Sequence, residues 1–132
     1  MTTQATSSVQ MKSWDEQPSA EYEDGTKLTR AKVSQEFSGD VEGDGLTEWL
    51  MFHRADGTAD FVGLLRIDGR LGDRRGSFVL ENRGTFDGKV AEGPLTVVPG
   101  SGTGELAGMR GDGEFSAPMG MEATFTLRYD LG

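Results

Sequence analysis

The chain has no cysteine and a single histidine, and no apolar run in it approaches the ~20 residues that a membrane-spanning helix needs. Without cysteine there is no disulfide, no thiolate nucleophile and no thiolate metal site, and the redox compartment stays open. Any histidine-based acid–base step or triad has only His53 to use. Basic residues are scarce too: 13 Lys and Arg stand against 22 Asp and Glu, for a net charge of −9. No basic stripe is left to neutralise a phosphate backbone, so nucleic acid is not an expected partner. The first eight residues, MTTQATSS, have neither the basic start nor the apolar middle of a signal peptide. The expectation is a soluble, cytoplasmic protein with no membrane partner. It would consist of a disordered tail over 1–8 and one domain over 9–132.

Helical periodicity is missing as well, and alternation stands in its place. Met121, Ala123, Phe125, Leu127 and Tyr129 alternate with Glu122, Thr124, Thr126 and Arg128, which describes a strand with one buried and one wet face. Thr29, Ala31, Val33, Gln35 and Phe37 repeat the pattern opposite Arg30, Lys32, Ser34 and Glu36. A short strand from Val9 to Trp14 comes before, separated by a loop at Gln17-Pro18 and a turn at Glu23-Asp24-Gly25. Leu46 to His53 and Ala59 to Asp68 flank Arg54-Ala55-Asp56-Gly57, whose Asp-Gly step signals a hairpin. Gly76 to Arg83, Val90 to Val98 and Glu114 to Ala117 supply three more strands.

About eight strands with turns every 8–12 residues predict an all-β, antiparallel barrel. An interior of that size is either filled by side chains or holds one small ligand. The 20 glycines lie scattered between the strands as turns and bulges, and Gly63 and Gly93 fall inside strands, where closing a barrel demands tight bends. The Leu46–His53 and Ala59–Asp68 strands are apolar on both faces. Leu46, Leu50 and Phe52 oppose Trp49 and Met51, and Phe61, Leu65 and Ile67 oppose Val62 and Leu64. Such strands are covered on both sides, here by the N-terminal segment or by another subunit, which predicts a homo-oligomer, in the simplest case a dimer.

"PGSGTGELAGMRGDG", Pro99 to Gly113, follows an apolar run and contains G-x-G-x-x-A at Gly102, Gly104 and Ala107, the opening of a dinucleotide site. The rest of that unit is missing. Only 28 residues follow Gly104, they read as two strands, and Gly108, Gly111 and Gly113 interrupt the required helix. No G-K-[ST] is present either, so the stretch is read as a single helical turn, Glu105 to Met109, plugging a gap between strands.

The segments "GSFVLENRGTFDG" and "VVPGSGTGELAGMRGDGEF" within Gly76 to Phe115 carry a wider likeness. They are joined by "KSWDE" at Lys12, "KLTRAKVSQEFSGDVEGDG" at Lys27 and "DGTADFVGL" at Asp56. Together they resemble an uncharacterised bacterial family similar in fold to the allene oxide cyclase barrel and, more distantly, to dirigent proteins. The resemblance implies an eight-stranded antiparallel barrel, oligomeric, with a cavity for an apolar molecule and no cofactor. It assigns no activity. The chain departs from the family pattern where Asn82 and Met119 replace frequent histidines and Leu95 an aromatic residue.

Polar residues within apolar alternation are the candidate site. Gln35 stands between Val33 and Phe37, Glu48 between Leu46 and Leu50, and Asn82 follows Phe78 and Leu80. Buried without partners, each would cost ~1–3 kcal/mol. With Glu48 inside, desolvation would raise its pKa unless Arg66 or Arg30 pairs with it, and it is the catalytic candidate. Gln35, Asn82, Trp49, Arg66 and Tyr129 are the candidate substrate-binding residues, with Trp49 or Tyr129 near a mouth. The bland alternative is a structural ion pair at Glu48 and core or interface aromatics. His53, at a strand end beside a turn, reads as solvent-exposed. Asp40, Glu42 and Asp44 read as a solvated acidic turn, since the later glutamate of a calcium loop is absent, and no metal site is expected. Two functions follow. One is a cofactor-free isomerase or cyclase acting on a polyketide- or lipid-like substrate. The other is a non-enzymatic barrel that binds a small hydrophobic molecule or only assembles.

Overall fold

A computed structural model describes residues 2–119 and 122–131. Eight antiparallel strands run in sequence order around a closed barrel. They are β1 (Thr3–Glu21), β2 (Lys27–Gly39), β3 (Val41–His53), β4 (Ala59–Leu71), β5 (Arg74–Phe86), β6 (Val90–Val97), β7 (Arg110–Pro118) and β8 (Ala123–Asp130). The all-β, eight-stranded antiparallel barrel expected from the alternation is the fold. Met121, expected to begin the last strand, lies outside the described residues. No helix among the described residues is long and apolar enough to cross a membrane.

Two hairpin turns are built alike. Asp56 Oδ1 accepts from the Thr58 N–H at 2.9 Å and the Thr58 hydroxyl at 2.7 Å, while Gly57 adopts φ 92°. Asp24-Gly25-Thr26 repeats this arrangement between β1 and β2, at 3.0 and 2.6 Å. An aspartate folding back on its own turn, followed by a residue free to take positive φ, is the physical content of the Asp-Gly signal. The acidic Asp40–Asp44 segment is also structural. Asp40 Oδ2 accepts from the Thr6 N–H at 2.9 Å, and Glu42 pairs with Arg70.

The N-terminus departs from expectation. Residues 3–8 belong to β1, and Thr3 through Val9 pair with Tyr129 through Ala123 of β8, closing the barrel. Ala5, Ser7 and Val9 face inward, but only two of the three are apolar, and the alternation is too weak to mark a strand by itself. Pairing of a near-polar segment with an open sheet edge is a tertiary effect. Gln17-Pro18, expected as a loop, also lies in β1, opposite Arg30 and Thr29. Among the described residues, β1 beyond Val9 has a partner only on the β2 side, and a one-sided edge tolerates a proline that cannot donate.

Inward side chains of all eight strands fill one half of the barrel. Phe37, Phe78, Phe125, Ile67, Leu71, Leu80, Leu95 and Leu127 are fully buried there, each stabilising the fold by roughly 1.5–3 kcal/mol. A single 3-10 turn, Gly104–Leu106, closes that end. It is shorter than the expected Glu105–Met109 turn, yet Leu106 and Met109 both insert into the core. Thr103 holds the loop on β5 by exchanging bonds with Ser77: its N–H donates to the Ser77 carbonyl at 2.9 Å, and the Ser77 N–H donates to its hydroxyl at 3.0 Å. The former candidate dinucleotide loop is a barrel plug.

Candidate functional site

The half of the barrel opposite the plug encloses a cavity of about 380 Å³, at the small end of the ~300–1,000 Å³ typical of ligand pockets. An aromatic row crosses it. Trp14 lies 5.5 Å from Trp49, Trp49 5.5 Å from Phe61, and Phe61 6.0 Å from Phe115, centroid to centroid. Met11, Met51, Phe86 and Met119 add to the apolar lining. Met11, Trp14 and Met119 are solvent-exposed, so the cavity opens on their side.

The β3–β4 register puts Trp49 in this space. Trp49 stands opposite Gly63, where a Cβ would come within 2.5 Å of the Trp49 ring. The indole N–H donates to Asn82 Oδ1 at 2.6 Å, and the Thr47 hydroxyl donates to Gln35 Oε1 at 2.7 Å. Gln35, Asn82 and Trp49, three of the expected binding residues, are therefore buried together in the cavity lining.

The other three expected site residues are elsewhere. Glu48 points out of the barrel between the exposed Leu46 and Leu50, so it cannot act on a molecule inside. Both faces of β3 are apolar, and alternation alone could not choose between Thr47-Trp49-Met51 and Leu46-Glu48-Leu50 as the inner set. Arg66 is also on the outer face, donating to Ser77 Oγ at 3.1 Å and pairing with Asp68 at 3.6 Å rather than with Glu48. Tyr129 sits opposite Thr3 and Gly111 at the plugged end and packs on the main core.

Two cavity residues were not anticipated. His53 is on the same side of β3 as Trp49 and Met51, and its Nε2 lies 3.0 Å from Glu16 Oε2 and 3.1 Å from the Thr29 hydroxyl. Glu16 also accepts from the Trp14 indole at 2.9 Å. Both side chains are a quarter exposed and line the mouth. The signal for His53 was its parity with Trp49. Nothing local marks Glu16, 37 residues away along the chain.

A family described as "Protein of unknown function (DUF3224)" matches residues 5–129. The chain belongs to the DUF3224 family. It is similar to a protein of unknown function from the same family in Shewanella oneidensis MR-1, known from a crystal structure. The two share 28% identity over 98% of each chain, with a TM-score of 0.76. No curated protein matches the chain.

Within this DUF3224 barrel, the ionisable groups lining the cavity are Glu16 and His53. Burial raises the Glu16 carboxyl, but hydrogen bonds from Trp14 and Thr29, with the charge and hydrogen bond of His53, outweigh it and hold the group below its ordinary value of 4.5. A carboxylate so lowered adds stability above the unfolded value, which disappears as the pH falls through the folded one. Glu16→Gln should thus lower the melting temperature at neutral pH, by less than about 1 kcal/mol in stability because the pair is partly solvated. The difference from the parent protein should close as the pH falls through the lowered value of the Glu16 carboxyl. A difference that stays constant between neutral and acid pH, followed by thermal melts, would refute the ion-pair account.

Proposed function

We propose that this barrel is a binding cup for a small, largely apolar molecule. The observation that carries the reading is the enclosed cavity, lined by tryptophan, phenylalanine and methionine around two buried amides. A mainly apolar hollow with a few convergent polar groups is what small-molecule sites share. Methionine and aromatic side chains suit such a surface, because they adapt in shape while contributing large contact areas. The likeness to the allene oxide cyclase barrel, read from the sequence motifs, points the same way. Both tryptophans of the chain line this cavity, so fluorescence excited selectively at tryptophan reports on it. Titration with neutral aromatic or terpenoid molecules should change that fluorescence saturably, and Trp49→Phe should remove most of the response. A panel of such molecules that leaves the emission untouched would end the proposal.

One observation supports a reading with chemistry, a cofactor-free isomerase or cyclase. The His53–Glu16 pair at the mouth holds an imidazole and a carboxylate in hydrogen-bond contact beside the cavity. A positioned imidazole can take a proton from a bound molecule and return it elsewhere. On this reading a bound ketone should exchange its α-protons in heavy water faster than in buffer, and His53→Gln should abolish the gain. Exchange at the buffer rate, followed by NMR, removes the enzyme.

The outer face of β3 and β4 supports self-association. Leu46, Leu50, Val62 and Leu64 are each more than 40% exposed there. Charged side chains of both signs are interleaved with them: Arg30 and Arg83 end the row of Leu50 and Val62, Lys32, Glu48 and Glu81 share the row of Leu64, and Arg66 stands opposite Leu46. An exposed apolar patch that also carries both signs of charge can meet a second copy of itself, although the chain as a whole is strongly acidic. Light scattering should give a dimeric mass, and Leu50→Glu should give a folded monomer. A monomeric parent protein at tens of micromolar would exclude the dimer.

A further inference from the structure

We propose that the molecule this cavity accepts carries a neutral hydrogen-bond acceptor, a carbonyl of ketone, ester or amide type, seated on the side-chain NH2 groups of Gln35 and Asn82. The inference rests on the binding reading above and specifies the chemical class of the ligand.

The orientation of Asn82 is decided by its neighbour. An indole nitrogen can only donate, so the atom 2.6 Å from Trp49 Nε1 must be the amide oxygen. Both N–H groups of Asn82 are then left over, and among the described residues neither finds an acceptor. The Gln35 oxygen accepts from the Thr47 hydroxyl at 2.7 Å, and its nitrogen has no acceptor among the described residues. These side chains are 3% and 5% exposed, so they are removed from bulk solvent. No fully enclosed side-chain nitrogen or oxygen among the described residues lacks a partner. The free NH2 groups therefore keep their small remaining surface toward the cavity that both residues line. An apolar body filling that space would strand these donors, whereas one bearing an acceptor would satisfy them. The site thus discriminates by what it would leave unpaired.

Charge narrows the acceptor. No lysine or arginine lines the cavity, and its one carboxylate, Glu16, stands at the mouth. An anionic ligand would enter past a negative group and bury its charge against neutral amides, a poor exchange for its hydration. Fatty acid carboxylates are disfavoured on this ground, and neutral carbonyl compounds are favoured.

The test uses calorimetric titration of the full chain with three molecules of one skeleton: methyl naphthyl ketone, ethylnaphthalene and naphthoate, substituted at the same ring position. The ketone should bind tightest, ahead of the hydrocarbon by roughly tenfold, the ratio expected from one or two neutral hydrogen bonds. Naphthoate should bind weakest. Gln35→Met keeps the shape and removes one donor pair. In this variant the advantage of the ketone over the hydrocarbon should shrink several-fold. Should Gln35→Met fail to melt cooperatively, Gln35→Leu takes its place. Equal binding of ketone and hydrocarbon, tightest binding of naphthoate, or a ketone advantage unchanged in Gln35→Met overturns this inference and leaves the binding cup standing. Failure of all three molecules to bind overturns both.

Discussion

Everything else in this barrel depends on a short seam. Seven residue pairs, from Thr3–Tyr129 to Val9–Ala123, join β1 to β8 and give the sheet an inside. Until it closes, each strand has two faces and no rule for choosing between them. Once it closes, one face of every strand must fill a fixed interior and the other must meet water. Among the described residues the seam ends at Val9, though β1 runs on to Glu21. Past that point the described ladder of β1 is with β2, and Met11, Trp14 and Glu16 of this half line the cavity. A filled core and a cup thus form at opposite ends of the same sheet.

The two ends are finished by different means. At the sealed end β6 does not extend over the first residues of β5, and the loop after it takes its place through the Ser77–Thr103 bonds, dropping Leu106 and Met109 into the core. At the cup end large inner side chains meet in the row Trp14-Trp49-Phe61-Phe115 and leave open space beside it. Space for the Trp49 ring exists because Gly63 has no side chain to oppose it. The ring then needs an acceptor for its N–H, and Asn82, across the sheet on β5, provides it. The polar floor of the cup follows from packing one tryptophan inward.

Much of the fold was legible because turn chemistry and alternation are local. Asp56-Gly57 announced a hairpin and Asp24-Gly25 a turn, each through an aspartate that bonds two residues ahead, and Ala123 to Tyr129 alternated cleanly enough to identify a strand. Ser7 and Thr3 gave no such sign, since their strand character comes from β8, more than a hundred residues later. The phase of β3 was illegible for a different reason. Leu46, Glu48 and Leu50 are as apolar a set as Thr47, Trp49 and Met51, so periodicity gave both faces equal weight. The facing strand could have decided it: a hairpin centred on Asp56-Gly57 pairs Trp49 with Gly63, and a large residue opposite a glycine fits an interior better than a surface. That one phase error displaced Glu48 from the site and left His53, on the same side as Trp49, unrecognised. Gln35 and Asn82 were legible because each interrupts a run whose buried face is unambiguous.

The distribution of charge gives the last constraint on what the cup can do. The chain carries 22 acidic residues, yet among the cavity-lining residues only Glu16 is acidic, and it is tied to His53 at the rim. Deeper in, the buried polar side chains of the lining are the uncharged Gln35 and Asn82. A charge in that space would need a partner of opposite sign or full hydration, and the lining offers neither. Neutral amides whose oxygens are already engaged are the form of polarity that such an interior can hold without a counter-ion. They also confine any proton movement to the mouth, where His53 and Glu16 still touch water. Recognition in the depth and ionisation at the rim are therefore separate properties of this barrel, set by different strands.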